Sequence, residues 1–115
     1  MINPGFWLAL DKLIATSELV VDRPAGTCHP RYPALVYGVD YGYLAQTRSM
    51  DGGGIDVWRG TNAGAGLVAI ITTVDLVKRD SEIKLLIDVT EGEIAYIDDF
   101  HNNSDKMKGL LIRRE

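Results

Sequence analysis

The sequence predicts a mainly β domain, a small barrel with one or two peripheral helices. Five or six short segments rich in apolar and β-branched residues are separated by glycine- or proline-containing turn signals. Helical periodicity is confined to one stretch at the start of the chain and another late in it. Because the 115 residues contain no internal repeat or linker, we expect a single domain over residues 1–115.

Composition narrows the class of protein. Hydrophobic residues make up 46% of the chain and charged residues 24%, which suffices for a modest core. No run of about eighteen apolar residues predicts a transmembrane helix. The N-terminus does not resemble a secretory signal, and Cys28 is the single cysteine, so we expect a cytoplasmic protein without disulfides. The net charge of −4 argues against a nucleic-acid partner, and no membrane partner is expected.

Both predicted helices have start signals. In the first, Asn3 can serve as the N-cap, Pro4 suits the first helical position, and apolar residues recur three and four positions apart. In the second, Thr90 and Glu93 have the spacing of a capping box, so we expect a helix from there to about Asn102.

The strands are predicted between these helices and after the second one. Pro24 ends the first strand, and a proline-containing loop extends to about residue 34. Glycine-rich residues 60–66 are typical of a hairpin loop. The predicted strands are 19–21, an irregular or bent stretch at 35–44, 55–59, 67–74, 83–89 and 109–113.

Two groups of acidic residues are candidates for chemistry. Asp51 and Asp56 flank a triple-glycine turn that could fold both carboxylates onto one cation, although a plain β-turn would have the same sequence. In the second group, Glu82 and Lys84 share one face of a strand, where they could hold a metal and a phosphate or form a surface ion pair. This second group also contains Asp75 and Asp80.

Several segments together resemble the soluble inorganic pyrophosphatases of the first family. The most specific block corresponds to that family's signature region and consists of Tyr41-Gly42-Tyr43-Leu44, Ser49-Met50-Asp51-Gly52 and Ile55-Asp56-Val57. Further resemblances lie in Val21-Asp22-Arg23-Pro24, Arg31-Tyr32, Val74-Asp75 and Glu82-Ile83-Lys84. Together these segments span most of the chain.

The resemblance implies a small closed β-barrel, OB-like and of the pyrophosphatase type, and Mg²⁺-dependent hydrolysis of pyrophosphate to phosphate. It implies a small-molecule phosphate substrate and Mg²⁺ as cofactor, and the small size of such a barrel favours a homo-oligomer. Asp51 and Asp56 are the implied catalytic residues, and the implied phosphate ligands are Arg31, Tyr41 and Lys84. The implied metal ligands are Asp22, Asp51, Asp56, Asp75, Asp80 and Glu82, with Asp80 and Glu82 as alternatives for one position.

One departure from the family's pattern keeps a second function open. Gly53 stands where the family has the aspartate that positions the attacking water. The alternative is a catalytically impaired relative that binds phosphate or nucleotide, or one that hydrolyses another phosphoanhydride. His101 could replace the missing base or bind phosphate, although a helix-end histidine contacting the last carbonyl groups is the favoured interpretation.

Overall fold

The computed structural model describes residues 2–115 and contains six strands and two helices. Neither helix in this range is long and apolar enough to cross a membrane. In chain order the elements are α1 (Pro4–Ala15), β1 (Leu19–Arg23), β2 (Asp40–Leu44), β3 (Ile55–Arg59), β4 (Leu67–Asp75), β5 (Asp80–Ile87), α2 (Glu91–Asn102) and β6 (Met107–Arg113).

All six strands belong to one sheet, in the order β1-β2-β3-β5-β4-β6. The pairing of β3 with β5 is parallel, and the other pairings are antiparallel. The predicted hairpin at residues 60–66 is therefore wrong, because β5 lies between β3 and β4. Leu85 and Leu86 of β5 are both fully buried, which is the burial expected of a central strand covered on both faces.

The mainly β class with two helices is confirmed, but closure of the sheet into a barrel is not seen. Within residues 2–115, β1 pairs with β2 alone and β6 pairs with β4 alone, so these two strands are the edges of the sheet.

The helix starts agree with the sequence in part. Pro4 opens α1 as predicted, but Asn3 adopts a left-handed conformation (φ 55°, ψ 58°) and its side chain makes no capping hydrogen bond. The capping box of α2 is confirmed in full. The Thr90 hydroxyl accepts a hydrogen bond from the Glu93 amide (3.2 Å), and the Glu93 carboxylate accepts one from the Thr90 amide (2.9 Å).

Two apolar clusters cover the two faces of the sheet. Because successive side chains of a strand point to opposite faces, neighbouring residues enter different clusters, as Ile70 and Ile71 do. One cluster packs under α1 around Trp7 and contains Leu44, Val57, Leu67, Ile70, Leu85 and Ile87. The other packs under α2 and contains Tyr37, Val39, Tyr41, Trp58, Ala69, Ile71, Leu86, Val89, Ile94 and Ile97.

A β-bulge in β1 decides which side chains reach the second cluster. The register of β1 against β2 shifts between Val21 and Arg23, so that Arg23 lies opposite Tyr41 and Asp22 is exposed. The two strands approach closely here, since a Cβ at Gly42 would lie 1.9 Å from the carbonyl oxygen of Val20. Glycine at this position therefore permits the pairing that carries the bulge.

Candidate active site

A cleft of about 250 Å³ opens beside α2 and contains most of the charged candidates. Its aromatic wall is formed by Tyr37, Tyr41 and Phe100. Four carboxylates and three cationic groups line it, namely Asp51, Asp56, Asp75, Glu82, Arg23, Lys78 and Lys84. A site that mixes both signs of charge in this way can take a metal cation and a polyanion together.

Strand alternation places Glu82 and Lys84 in the cleft. They lie two residues apart on β5, opposite Thr73 and Ile71 of β4, so both side chains leave the same face of the sheet. The Lys84 ammonium lies 3.6 Å from a carboxylate oxygen of Glu82. The predicted shared face is confirmed.

Lys84 is 5% exposed and makes the central contacts of the site. Its ammonium donates to the Asp56 carboxylate at 2.7 Å and to the Tyr41 hydroxyl at 2.9 Å. The Tyr41 hydroxyl in turn donates to the same Asp56 oxygen at 2.8 Å. Burial, reinforced by the adjacent Asp56 charge, holds the pKa of Tyr41 well above its usual range, so this group stays a hydrogen-bond donor.

Ser49 joins the two acidic segments that the sequence places thirty residues apart. Its hydroxyl lies 2.9 Å from an Asp51 oxygen and 3.0 Å from a Glu82 oxygen. The Gly53 amide also donates to Asp51, at 2.9 Å. The Gly53 amide first, and then the Ser49 hydroxyl, lower the pKa of Asp51, which therefore remains an anion available to a cation.

Asp75 lines the cleft from the end of β4. One of its oxygens accepts hydrogen bonds from the amides of Val77 and Lys78, both at 2.9 Å, and so holds the turn that leads into β5. This turn places Lys78 on the rim of the cleft.

Three predicted site residues lie outside the cleft. Asp22 is turned outward by the bulge in β1, and the exposed Arg31 belongs to the loop before β2. Asp80 faces Asp75 in the strand register but does not line the cleft. Of the two alternatives Asp80 and Glu82, the structure thus brings Glu82 to the other carboxylates.

Sequence reasoning missed several groups that line the cleft, above all Arg23, Tyr37 and Lys78. Ser49 was part of the motif but had no predicted role. The sequence could not predict that Arg23 enters the cleft. A one-residue bulge moves the following side chains to the other face of the strand, and the alternation of apolar and polar residues does not reveal where a bulge occurs.

His101 is buried in the wall of the cleft, and its ring nitrogens contact other groups than those predicted. Its Nε2 accepts a hydrogen bond from the Trp58 indole at 3.0 Å, which leaves the proton on Nδ1, 3.4 Å from the sulfur of Met107. Burial, with a further contribution from the Lys84 charge, lowers the pKa of His101 to about 3. The imidazole is therefore neutral and structural at physiological pH.

The donor set of the cleft fits a hard divalent cation that completes its coordination with other ligands. Within residues 2–115 no group of three His, Cys, Asp or Glu side chains could by itself hold a metal ion. Mg²⁺ commonly takes one or two carboxylates and fills its remaining positions with water and phosphate oxygens. Asp51 and Glu82 suit that use, because both contact the same Ser49 hydroxyl.

Comparison with known proteins supports the fold. No protein-family model and no curated protein matches the sequence. Among solved structures, the chain is similar to an inorganic pyrophosphatase from Neisseria gonorrhoeae, with a TM-score of 0.62. The similarity covers 78% of this chain and 77% of that one, at 18% sequence identity. The chain thus has a pyrophosphatase-like fold, and this identity supports the fold alone.

The buried His101 makes stability depend on pH. The unfolded chain takes up a proton near pH 6.5 and the folded chain only near pH 3, so the free energy of unfolding is highest above pH 6.5 and falls with acidification. We expect a loss of about 2 kcal/mol between pH 7 and pH 5 from this group. Urea unfolding at several pH values measures it.

Two variants separate this effect from other titrations. His101→Gln can still accept the Trp58 hydrogen bond and should flatten the pH dependence between pH 5 and 7. His29→Gln changes a partly exposed histidine and should leave most of the pH dependence of stability in place. An unchanged slope in His101→Gln would show that His101 does not control it.

Proposed function

We propose that this protein hydrolyses inorganic pyrophosphate with the help of Mg²⁺. The observation that carries the proposal is the buried Lys84–Tyr41–Asp56 group facing Asp51 and Glu82 within one cleft. The pyrophosphatase-like fold supports the same reaction class by analogy.

The charges of the cleft suit this substrate. Pyrophosphate is a polyanion, and Lys84, Lys78 and Arg23 supply the positive charge that attracts it. Bound Mg²⁺ would neutralise phosphate oxygens and lower the pKa of a water ligand. We propose Asp51 and Glu82, which contact the same Ser49 hydroxyl, as its protein ligands, with water and phosphate oxygens filling the remaining positions.

The side chains of the cleft have separate proposed roles in substrate binding and proton transfer. The Lys84 ammonium, which Asp56 and Tyr41 orient with two of its three N–H donors, presents the third to a phosphate oxygen. Hydrolysis joins a water oxygen to one phosphorus atom and breaks that atom's bond to the bridging oxygen, which leaves with the second phosphate, and a base takes a proton from the attacking water. Asp51, whose pKa is lowered, suits cation binding, and Asp56 is the proposed proton acceptor.

Phosphate release from pyrophosphate tests this proposal. With excess MgCl₂ we expect turnover by the wild-type protein, and a loss of about 100-fold or more in Asp56→Asn, which keeps the shape of the side chain but removes its charge. Asp105→Asn is the matched control, because Asp105 is fully exposed and outside the cleft. No turnover by the folded wild-type protein, or equal turnover in Asp56→Asn, would contradict the proposal.

Gly53 favours a second candidate function, a relative that binds phosphate compounds and turns them over slowly or not at all. Gly53 is exposed and carries no group that could orient a water molecule. A Cβ at this position would meet only Asp51, with the nearer carboxylate oxygen at 3.2 Å. The surrounding space therefore accepts a side chain, and a missing carboxylate can be supplied by mutation.

Gly53→Asp separates the two candidates. If the absent carboxylate limits the reaction, this variant should raise kcat for pyrophosphate by about 10- to 100-fold over wild type. Gly53→Asn provides the matched control, since it has the same shape without the charge. Equal rates in both variants would mean that position 53 does not limit turnover.

We also propose that the protein is a cytoplasmic homo-oligomer. Cys28 is exposed and free, which suits a reducing compartment. The outer face of the sheet, away from the cleft, carries four exposed apolar side chains, Val74, Ile83, Leu110 and Ile112, which we name the outer apolar face. A second copy of the chain would cover it.

Light scattering during size-exclusion chromatography tests the assembly. The wild-type protein should elute at a multiple of the chain mass, and Leu110→Lys, which places a charge in the outer apolar face, should shift it toward the monomer. Leu76→Lys makes the same change at an exposed position in the turn after β4 and should leave the mass unaltered. A monomeric wild-type protein would contradict self-association.

A further inference from the structure

We propose that the cleft takes a nucleoside diphosphate, whose base stacks on the rings of His29 and Tyr32 while its diphosphate contacts Lys84. We name the His29 and Tyr32 rings the aromatic ledge. This inference rests on the proposed function for the diphosphate group and deepens it by naming the class of substrate.

The aromatic ledge lies at the exposed side of the cleft. His29 and Tyr32 both line the cleft, and Tyr32 is 57% exposed, whereas Tyr37 and Tyr41 of the aromatic wall are buried. The His29 ring lies 5.1 Å from the Tyr32 ring and 6.4 Å from the Tyr37 ring, to which it is nearly parallel at 18°. The ledge therefore continues the wall outward and leaves much of one ring accessible to a ligand.

A short turn holds the ledge in place. The His29 amide donates a hydrogen bond to the Leu35 carbonyl at 2.8 Å, and the Leu35 amide donates to the Tyr32 carbonyl at 2.9 Å. In addition, Nδ1 of His29 accepts hydrogen bonds from the amides of Arg31 (3.0 Å) and Tyr32 (3.2 Å). A surface that is ordered before the ligand arrives loses less conformational entropy on binding.

The same hydrogen bonds fix the tautomer of His29. Because Nδ1 accepts, the proton of the neutral ring is on Nε2. Burial, reinforced by the positive charges of Arg23, Lys78 and Arg31, lowers the pKa of His29, so the ring is neutral at pH 7. Among residues 2–115, Nε2 has no hydrogen-bond partner, so the ledge offers an N–H donor to a ring nitrogen or carbonyl oxygen of a base.

Two rings of the aromatic wall separate the ledge from Lys84. The Tyr37 ring lies 6.4 Å from that of His29 and 5.2 Å from that of Tyr41. The Lys84 ammonium lies 5.5 Å from the centre of the Tyr41 ring. A nucleoside diphosphate has its parts in a matching order, with the base at one end, the diphosphate at the other and the sugar between them.

Inorganic pyrophosphate leaves the ledge without a ligand group to contact. The face of an aromatic ring carries the negative part of its quadrupole, so it attracts cations and apolar or aromatic groups rather than phosphate oxygens. Nucleobases, in contrast, stack on aromatic side chains whatever their sequence, because every base has a π-face. The ledge therefore suits a diphosphate that carries a base.

The chemistry is that proposed for pyrophosphate. A water oxygen joins the terminal phosphorus atom, the bond from that atom to the bridging oxygen breaks, and a base takes a proton from the attacking water. The bridging oxygen leaves with the nucleoside monophosphate. The products are this monophosphate and inorganic phosphate, and no further reactant is required.

Two non-hydrolysable ligands that differ by the nucleoside test the proposal. By calorimetry in MgCl₂, the wild-type protein should bind α,β-methylene adenosine diphosphate about 10-fold or more tighter than methylenediphosphonate, because stacking adds to the phosphate contacts. Tyr32→Ala should reduce this ratio about 10-fold, and Tyr32→Phe, which keeps the ring, should retain it. Phe6→Ala removes a partly exposed ring of α1 outside the cleft and should keep the wild-type ratio.

Three results would overturn the proposal. The first is an equal Kd for the two ligands in the wild-type protein, a comparison that does not depend on any variant folding. The second is an unaltered ratio in folded Tyr32→Ala. The third is an equal loss of affinity for both ligands in Tyr32→Phe, which would assign the Tyr32 hydroxyl to phosphate instead of the ring to a base.

Phosphate release separates this inference from the proposed function. Tighter binding of the adenosine ligand, without release from ADP or pyrophosphate, would keep the nucleotide site and reject the hydrolase. Release from pyrophosphate with equal Kd values for the two ligands would keep the hydrolase and reject the role of the ledge. Neither binding nor release by the folded wild-type protein would reject both.

Discussion

The burial of a single ammonium group, that of Lys84, is the constraint on which the site depends. At 5% exposure it has lost most of its water, and the cost of that loss is offset by contacts to Asp56, Tyr41 and Glu82. These partners come from β2, β3 and β5, so the charge ties neighbouring strands of the sheet together. Removing one partner would leave the others buried without compensation, which is why the group acts as a unit.

The position of the cleft follows from the two-sided packing of the sheet. α1 covers one face with Trp7, and α2 covers part of the other with Ile94 and Ile97. Where α2 ends, polar side chains of β4 and β5 face an opening instead of a helix, and the neutral imidazole of His101 closes its wall. The chemistry of the cleft therefore depends on an apolar frame that excludes water from one side of the charged groups.

The sequence allowed prediction wherever the decisive interaction was local. The capping box at Thr90, the helix start at Pro4 and the shared face of Glu82 and Lys84 follow from spacing along the chain, and all three are confirmed. The insertion of β5 between β3 and β4 could not be inferred, because glycine-rich residues 60–66 serve equally well as a hairpin or as a crossover. Closure of the sheet was wrongly expected, since pairing of the edge strands depends on contacts far apart in sequence.

By itself, the sequence determined the mainly β class, both helices and the acidic segments around Asp51 and Glu82, because turn residues, capping residues and alternation act over a few positions. Only the tertiary structure decided which of the charged residues meet. It places Ser49 between Asp51 and Glu82. Arg31 and Asp80 lie outside the cleft, and Arg23 lines it where Asp22 was expected. The physical reason is that strand pairing and a one-residue bulge set the direction of each side chain, and both arise from contacts between distant segments.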